Sequence, residues 1–224
     1  GMDPSLQQPQ EQPTLHLIKG VFPNDLPDHQ LFDAITLLAV LEHIPPDQHA
    51  RLAHECATHL KPGGYLWWYV DALSDCGQFG LTIIAFVGSV FSPYYAWARS
   101  HKGLIHPDNF CCLNVALYSK NANRWAMTER GARFNSRGED FFSIGPSHLH
   151  LDGQALHIDI NEITVPIPRR IKGRVTVYPE QLFNFGAPLD LEGLHMWGPL
   201  APSARVTVDL QEPNQAWKGH AYLD

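Results

Sequence analysis

Leu60-Lys-Pro-Gly-Gly64 followed by Tyr65-Leu-Trp-Trp-Tyr-Val-Asp-Ala72 divides the chain into two kinds of sequence. Before Gly64 the pattern is that of a strand and a helix. Phe32-Asp-Ala-Ile-Thr-Leu-Leu-Ala-Val40 is a nearly unbroken apolar run, as in a strand buried on both faces of a parallel sheet. Pro45-Pro46-Asp47 then opens a helix, with proline in the first turn and an acid at the positive end of the dipole. Leu52, Cys56 and Leu60 recur every four residues, and Pro62-Gly63-Gly64 is expected to stop that helix.

After Gly64 the period becomes two, with turn residues at short intervals. The expected strands are 65–72, 80–91, 110–119, 124–130, 141–144, 147–151, 155–160, 163–165, 173–178, 204–211 and 216–222. Asp152-Gly153 marks a tight hairpin. So many antiparallel strands imply a β-barrel or sandwich. The fold expected is therefore mainly β, preceded by a short strand–helix remnant. Residues 1–14, rich in Gln and Pro, are expected to be a disordered tail. Leu15-His-Leu-Ile18 is expected to be a short strand.

Composition narrows the function classes. Apolar residues make up 44% of the chain and charged residues 17%, a globular balance. The net charge of −7 and the lack of a Lys/Arg stripe argue against a nucleic-acid partner. The longest apolar run, 81–91, is shorter than the about 20 residues that span a bilayer. Cys56, Cys76, Cys111 and Cys112 are irregularly spaced, and a reduced, cytoplasmic setting is expected. Cys111 and Cys112 are adjacent, so they point to opposite faces of a strand and are read as buried structural thiols.

Alternation places Trp67, Tyr69 and Asp71 on one face of a strand, and Trp125, Met127 and Glu129 on one face of another. Each face joins aromatic rings to a carboxyl group. Tyr94, Tyr95 and Trp97 form a third aromatic group, in an expected loop after Pro93. His148, His150 and His157 meet across the Asp152-Gly153 hairpin, but the residues around them do not call for a metal.

Two resemblances follow. Gly20 to Pro27, Phe32-Asp33, Val40-Leu-Glu-His43 and Leu60-Lys-Pro-Gly-Gly64 resemble the middle of a class I S-adenosylmethionine-dependent methyltransferase, over residues 15–64. That resemblance would put Asn24-Asp25 near the adenine and Glu42-His43 near the substrate. The glycine-rich turn such a cofactor needs is missing, since Gly1 is the only glycine before Gly20. Residues 62–75, 80–99, 114–118, 124–131, 144–147 and 219–224 resemble the carotenoid 1,2-hydratase (hydroxyneurosporene synthase) family.

The second resemblance implies a lipocalin-like fold over 65–224. It also implies addition of water to the terminal C=C of an acyclic carotenoid of the lycopene or neurosporene type, with no cofactor and no metal. Family members run on past the position equivalent to Asp224, so a C-terminal portion is expected to be absent. Peripheral membrane contact would be one route of access for so apolar a substrate.

Hydrating such an alkene needs a proton donor and a surface that stabilises a tertiary cation. Asp71 is the first expected donor, with Glu129 second and Asp75 third. Trp67, Tyr69, Tyr94, Tyr95, Trp97 and Trp125 are the expected substrate contacts. A non-catalytic lipocalin-like binder of apolar ligands is the alternative, and a methyltransferase fragment the second.

Overall fold

The computed structural model describes residues 10–12, 15–17, 32–34, 60–101, 105–120, 123–138, 140–182, 187–189, 191 and 196–224. The expected helix after Pro46, Asn24-Asp25, Glu42-His43 and Cys56 lie outside the described residues. Gln10–Gln12 (β1), within the stretch expected to be a tail, pairs antiparallel with Leu15–Leu17 (β2). Phe32–Ala34 (β3) runs parallel to the start of Leu60–Ser74 (β4), with Phe32 opposite Leu60 and Ala34 opposite Tyr65.

Leu60 to Gly64 was expected to end a helix and instead begins β4. Gly63 sits at φ +83°, where a residue without Cβ carries no penalty, and its N–H donates to the Ile105 carbonyl at 2.8 Å. The register against β3 shifts beside it, so the glycine bends the strand rather than stopping the chain.

From β4 the chain meanders through Phe79–Val87 (β5), Cys111–Ser119 (β6), Arg124–Arg130 (β7), Asn135–Arg137 (β8), Phe141–Ile144 (β9), Ser147–Leu151 (β10), Leu156–Ile163 (β11) and Arg170–Pro179 (β12). A small pair, Ala187–Pro188 (β13) with Met196–Trp197 (β14), precedes Ala201–Glu212 (β15) and Gln215–Leu223 (β16). The spatial order is β7-β6-β5-β4-β16-β15-β12-β11-β10-β9-β8. These eleven strands form one antiparallel sheet, in which β16 returns to pair with β4, and the sheet curls into a nearly closed barrel as β7 approaches β11. The expected strand 155–160 runs on to Ile163 as β11, Thr164 and Val165 of the expected strand 163–165 lie beyond it, and the short β8 had no counterpart in the alternation.

Polar contacts tie the edge strand β7 to β11 and to the start of β12. The Val165 N–H donates to the Trp125 carbonyl at 3.0 Å, and Arg124 donates to the Arg170 carbonyl. Arg130 on β7 meets Glu162 on β11 at 2.7 Å, and the Ser147 hydroxyl donates to the other Glu162 oxygen at 2.6 Å.

The interior is aliphatic. Val70, Leu81, Ile83, Leu113, Ile144, Ile158, Ile160, Ile171 and Leu210 are buried there, each contributing about 1.5–3 kcal/mol. Trp67, Tyr69 and Asp71 alternate with Trp68, Val70 and Ala72, so they stand on the outer face of the barrel wall. No helix among the described residues is long and apolar enough to cross a membrane.

Candidate active site

Register builds the site on that outer face. Trp67, Phe86, Cys112 and Glu129 lie in one row across β4–β7, and Tyr69, Ile84, Asn114 and Met127 in the next. Asp71, Thr82, Ala116 and Trp125 form a third. Beyond β16 the chain stays in the ladder: Tyr69 N–H donates to the Asp224 carbonyl at 2.8 Å, and Asp224 N–H to the Tyr69 carbonyl at 3.0 Å. Asp224 thus falls two residues after Tyr222 and shares its face.

A cavity of about 280 Å³ opens there, lined by Trp67, Tyr69, Ile84, Phe86, Val90, Phe91, Trp197 and Asp224. Seven of these eight side chains are apolar or aromatic. Asp224 supplies the carboxyl group. The Trp197 indole donates to Asp224 Oδ2 at 2.6 Å, and the Tyr222 hydroxyl donates to the same oxygen at 3.1 Å. Asp224 Oδ1 is buried with no hydrogen-bond partner. Burial pushes the Asp224 carboxyl above the usual carboxylate range, against the lowering effect of Trp197, Tyr222 and Trp67. Burial likewise raises the Tyr69 and Tyr222 phenols, which stay neutral donors.

The arrangement suits a neutral acid. With both donors on Oδ2, that oxygen serves as the carbonyl. The proton then belongs on Oδ1, which has no protein partner. After transfer, the Trp197 and Tyr222 bonds hold the anion. The aromatic side chains of Trp67, Tyr69, Phe86 and Phe91 line the same cavity.

The three carboxyl groups expected from sequence have different surroundings. Asp71 is exposed and accepts a hydrogen bond from the Thr82 hydroxyl at 2.7 Å. Asp75 is exposed and bidentate with Arg205 at 2.7 and 2.9 Å, which holds its carboxyl below the usual range. Glu129 is partly buried, and burial raises its pKa against a hydrogen bond from Ser92. Its Oε2 is buried without a partner.

Of the expected aromatic contacts, Trp67 and Tyr69 line the cavity. Tyr94, Tyr95 and Trp97 are not in a loop but in a helix, Pro93–His101 (α1). Ser92 caps it, its Oγ accepting the Tyr95 N–H at 3.0 Å, with proline following as helices favour. Tyr95 turns inward and donates to the Gly64 carbonyl at 2.5 Å, while Tyr94 and Trp97 face solvent. Trp125 is exposed and donates to Asn114 Oδ1 at 2.7 Å.

A family model for the carotenoid hydratase CrtC matches residues 83–224. The chain belongs to the carotenoid hydratase family. Similar proteins include the acyclic carotenoid 1,2-hydratases of Rubrivivax gelatinosus, 58% identical over 166 residues, and Thiocapsa roseopersicina, 56% identical over 165. These matches cover 74% of this chain but only 41% and 40% of those proteins. The acyclic carotenoid 1,2-hydratase of Cereibacter sphaeroides is 40% identical over 143 residues, which is 63% of this chain and 49% of that protein. The chain therefore spans between two fifths and half of the length of these relatives. A methyltransferase-domain model also matches residues 1–136, overlapping the hydratase model over 83–136, where the described residues include β6 and β7 of the barrel. No solved structure matches the chain.

Within this carotenoid hydratase fold, Asp224, Trp197 and Tyr222 are the residues that sequence reasoning missed. Extending the alternation of β16 by two residues would have put Asp224 beside Tyr222. No local signal marks Trp197, which reaches Asp224 from the separate β13–β14 pair.

The 280 Å³ cavity also depends on Glu129. The Ser92 hydroxyl that caps α1 donates its proton to Glu129, and the turn before it carries Val90 and Phe91 into the cavity wall. Glu129→Gln keeps an acceptor for Ser92 and is expected to leave the affinity of the cavity for an apolar ligand within about threefold. Glu129→Ala removes it, and that affinity should fall about tenfold, consistent with about 1–1.5 kcal/mol for one hydrogen bond. Equilibrium binding to the two variants checks this, and equal loss in both would show that the Ser92 hydrogen bond does not brace the cavity wall.

His148, His150 and His157 stack with ring centroids 6.4 Å apart along the row. His157 pairs with Asp152 at 2.9 Å, and among the described residues no such group has the arrangement to hold a metal ion. Burial pushes the Cys111 and Cys112 thiols up to about 12 and about 11, so neither is a ready nucleophile.

Proposed function

We propose that this chain carries the acid site of a hydro-lyase that adds water to the terminal double bond of an acyclic carotenoid of the lycopene or neurosporene type. The observation that carries the reading is the buried, unpartnered Oδ1 of Asp224 in an aromatic-lined cavity. The names of the relatives supply the substrate class.

Asp224 gives its proton to the less substituted alkene carbon, forming a C–H bond as the π bond breaks. The tertiary cation is held by the ring faces of Trp67, Tyr69, Phe86 and Phe91, about 1–2 kcal/mol each when desolvated. Water adds to the tertiary carbon, and its proton returns to the Asp224 carboxylate. The sum is alkene plus water to tertiary alcohol, with no redox change. The non-catalytic binder would need no acid, and the state of Asp224 argues for the enzyme.

Incubation with lycopene and chromatography tests this directly. A tertiary alcohol is expected. In deuterium oxide it should carry one non-exchangeable deuterium on the carbon beside the alcohol. Asp224 must be protonated to act, and its pKa is raised, so the rate should be full at low pH and fall as pH rises through that pKa. No product, or a rate indifferent to pH, would end the reading.

A further inference from the structure

We infer that the outer face of β4, β5 and β6 bears a track for the long polyene chain, running from the Asp224 cavity toward Leu73. This rests on the function proposed above. The cavity of about 280 Å³ lies below the roughly 300–1,000 Å³ of sites that enclose drug-sized ligands. It suits the branched end of an isoprenoid, and the remainder of the chain must leave it.

A second cavity, about 850 Å³ and open to solvent, adjoins the first through Tyr69, which lines both. Tyr69 and Tyr222 meet edge to face between them, with ring centroids 6.1 Å apart. Beyond these rings, Leu73 lies opposite Gly80 on β5, and Gly80 opposite Tyr118 on β6. Gly80 has no side chain, so a gutter runs between Leu73 and Tyr118. These two large apolar side chains are 58% and 50% exposed. Asp71 lies along the way with one oxygen bound by Thr82. From Trp67 to Leu73 the strand advances roughly 20 Å at about 3.3 Å per residue. A rigid, linear apolar chain fits a track of that shape better than a compact ligand does.

The test is equilibrium binding to the full chain, read by tryptophan quenching. The probes are linear isoprenoid alkenes of ten and thirty carbons with the same terminal double bond. Affinity should rise at least tenfold with length, as buried apolar area grows. A Cβ at Gly80 would lie 3.4 Å from the Ala72 carbonyl and 3.7 Å from Cβ and Cδ2 of Tyr118, all ordinary contacts, so Gly80→Leu fills the gutter against the Tyr118 ring without forcing the backbone. It should remove most of the gain for the thirty-carbon probe and leave ten-carbon affinity within twofold. Tyr118→Glu, a surface change that does not threaten folding, should do the same. If both variants keep the full length dependence, the track is wrong while the acid site stands. If the unaltered chain binds neither alkene, the proposed function fails and the track with it.

Discussion

Asp224→Asn is expected to lower hydration by about 10²–10⁴-fold, the range for losing a positioned general acid. Asparagine has the shape of the carboxyl group and can still accept the Trp197 and Tyr222 hydrogen bonds through its amide oxygen. It has no proton to transfer to an alkene. The fold should not suffer. Because burial raises the folded-state pKa of Asp224, its anion costs stability at every pH above that value. The variant removes the cost, so its denaturation midpoint should equal or exceed that of the parent at neutral pH. Rate and midpoint measured on the same preparation separate chemistry from folding. Activity retained within a few-fold would remove Asp224 as the donor and turn attention to Glu129.

Glu162→Ala is expected to be the most damaging change to stability, at about 3–5 kcal/mol. Glu162 is fully buried and accepts hydrogen bonds from Arg130 and Ser147, so truncation leaves a guanidinium with no counter-charge. Arg130 cannot simply swing away. A Cβ on Gly145 would lie 2.1 Å from its Nε, which shows how closely the backbone is wrapped around it. The pair also joins β7 to β11, where the barrel closes. Glu162→Gln should cost less, about 1–3 kcal/mol, because the acceptor remains. Replacing both residues together by Met and Leu should recover much of the loss. Denaturant midpoints at unchanged slope would establish the series. Equal loss in the single and double variants would show that packing, not charge, sets the cost.

Much of the barrel could be read from the chain. Arg124–Arg130, Phe141–Ile144 and Ser147–Leu151 have the limits that alternation and turn residues imply, because a strand with one buried face must alternate. Alternation also assigned Trp67 and Tyr69 to one face. It could not say that this face is the outside of the barrel, since both faces of β4 carry aromatic residues. The helix α1 was hidden because Tyr94, Tyr95 and Trp97 have strand-like propensity, although Ser92-Pro93 is a cap followed by proline. Leu60 to Gly64 reads as a stop because Pro-Gly-Gly is turn chemistry, yet pairing with β3 and a positive φ at Gly63 make it a strand entry.

The choice among carboxyl groups was beyond local pattern. Asp71 and Asp224 both sit two residues from a tyrosine on the same face of the wall. Trp197, far away in sequence, covers one and leaves the other in water. Burial of that kind is a tertiary property, and the pKa follows from it.

The main-chain ladder between Tyr69 and Asp224 has one further consequence. The acid is aimed by counting rather than by fit: even steps along β16 reach the wall's outside, and odd steps reach the packed interior. Trp197 and Tyr222 then decide only which oxygen of the carboxyl group carries the proton, not which side of the wall it faces. Insertion or loss of a single residue between Gly219 and Asp224 would send the carboxyl group into the aliphatic interior and a leucine to the ligand. The site is forgiving of spelling and unforgiving of reading frame.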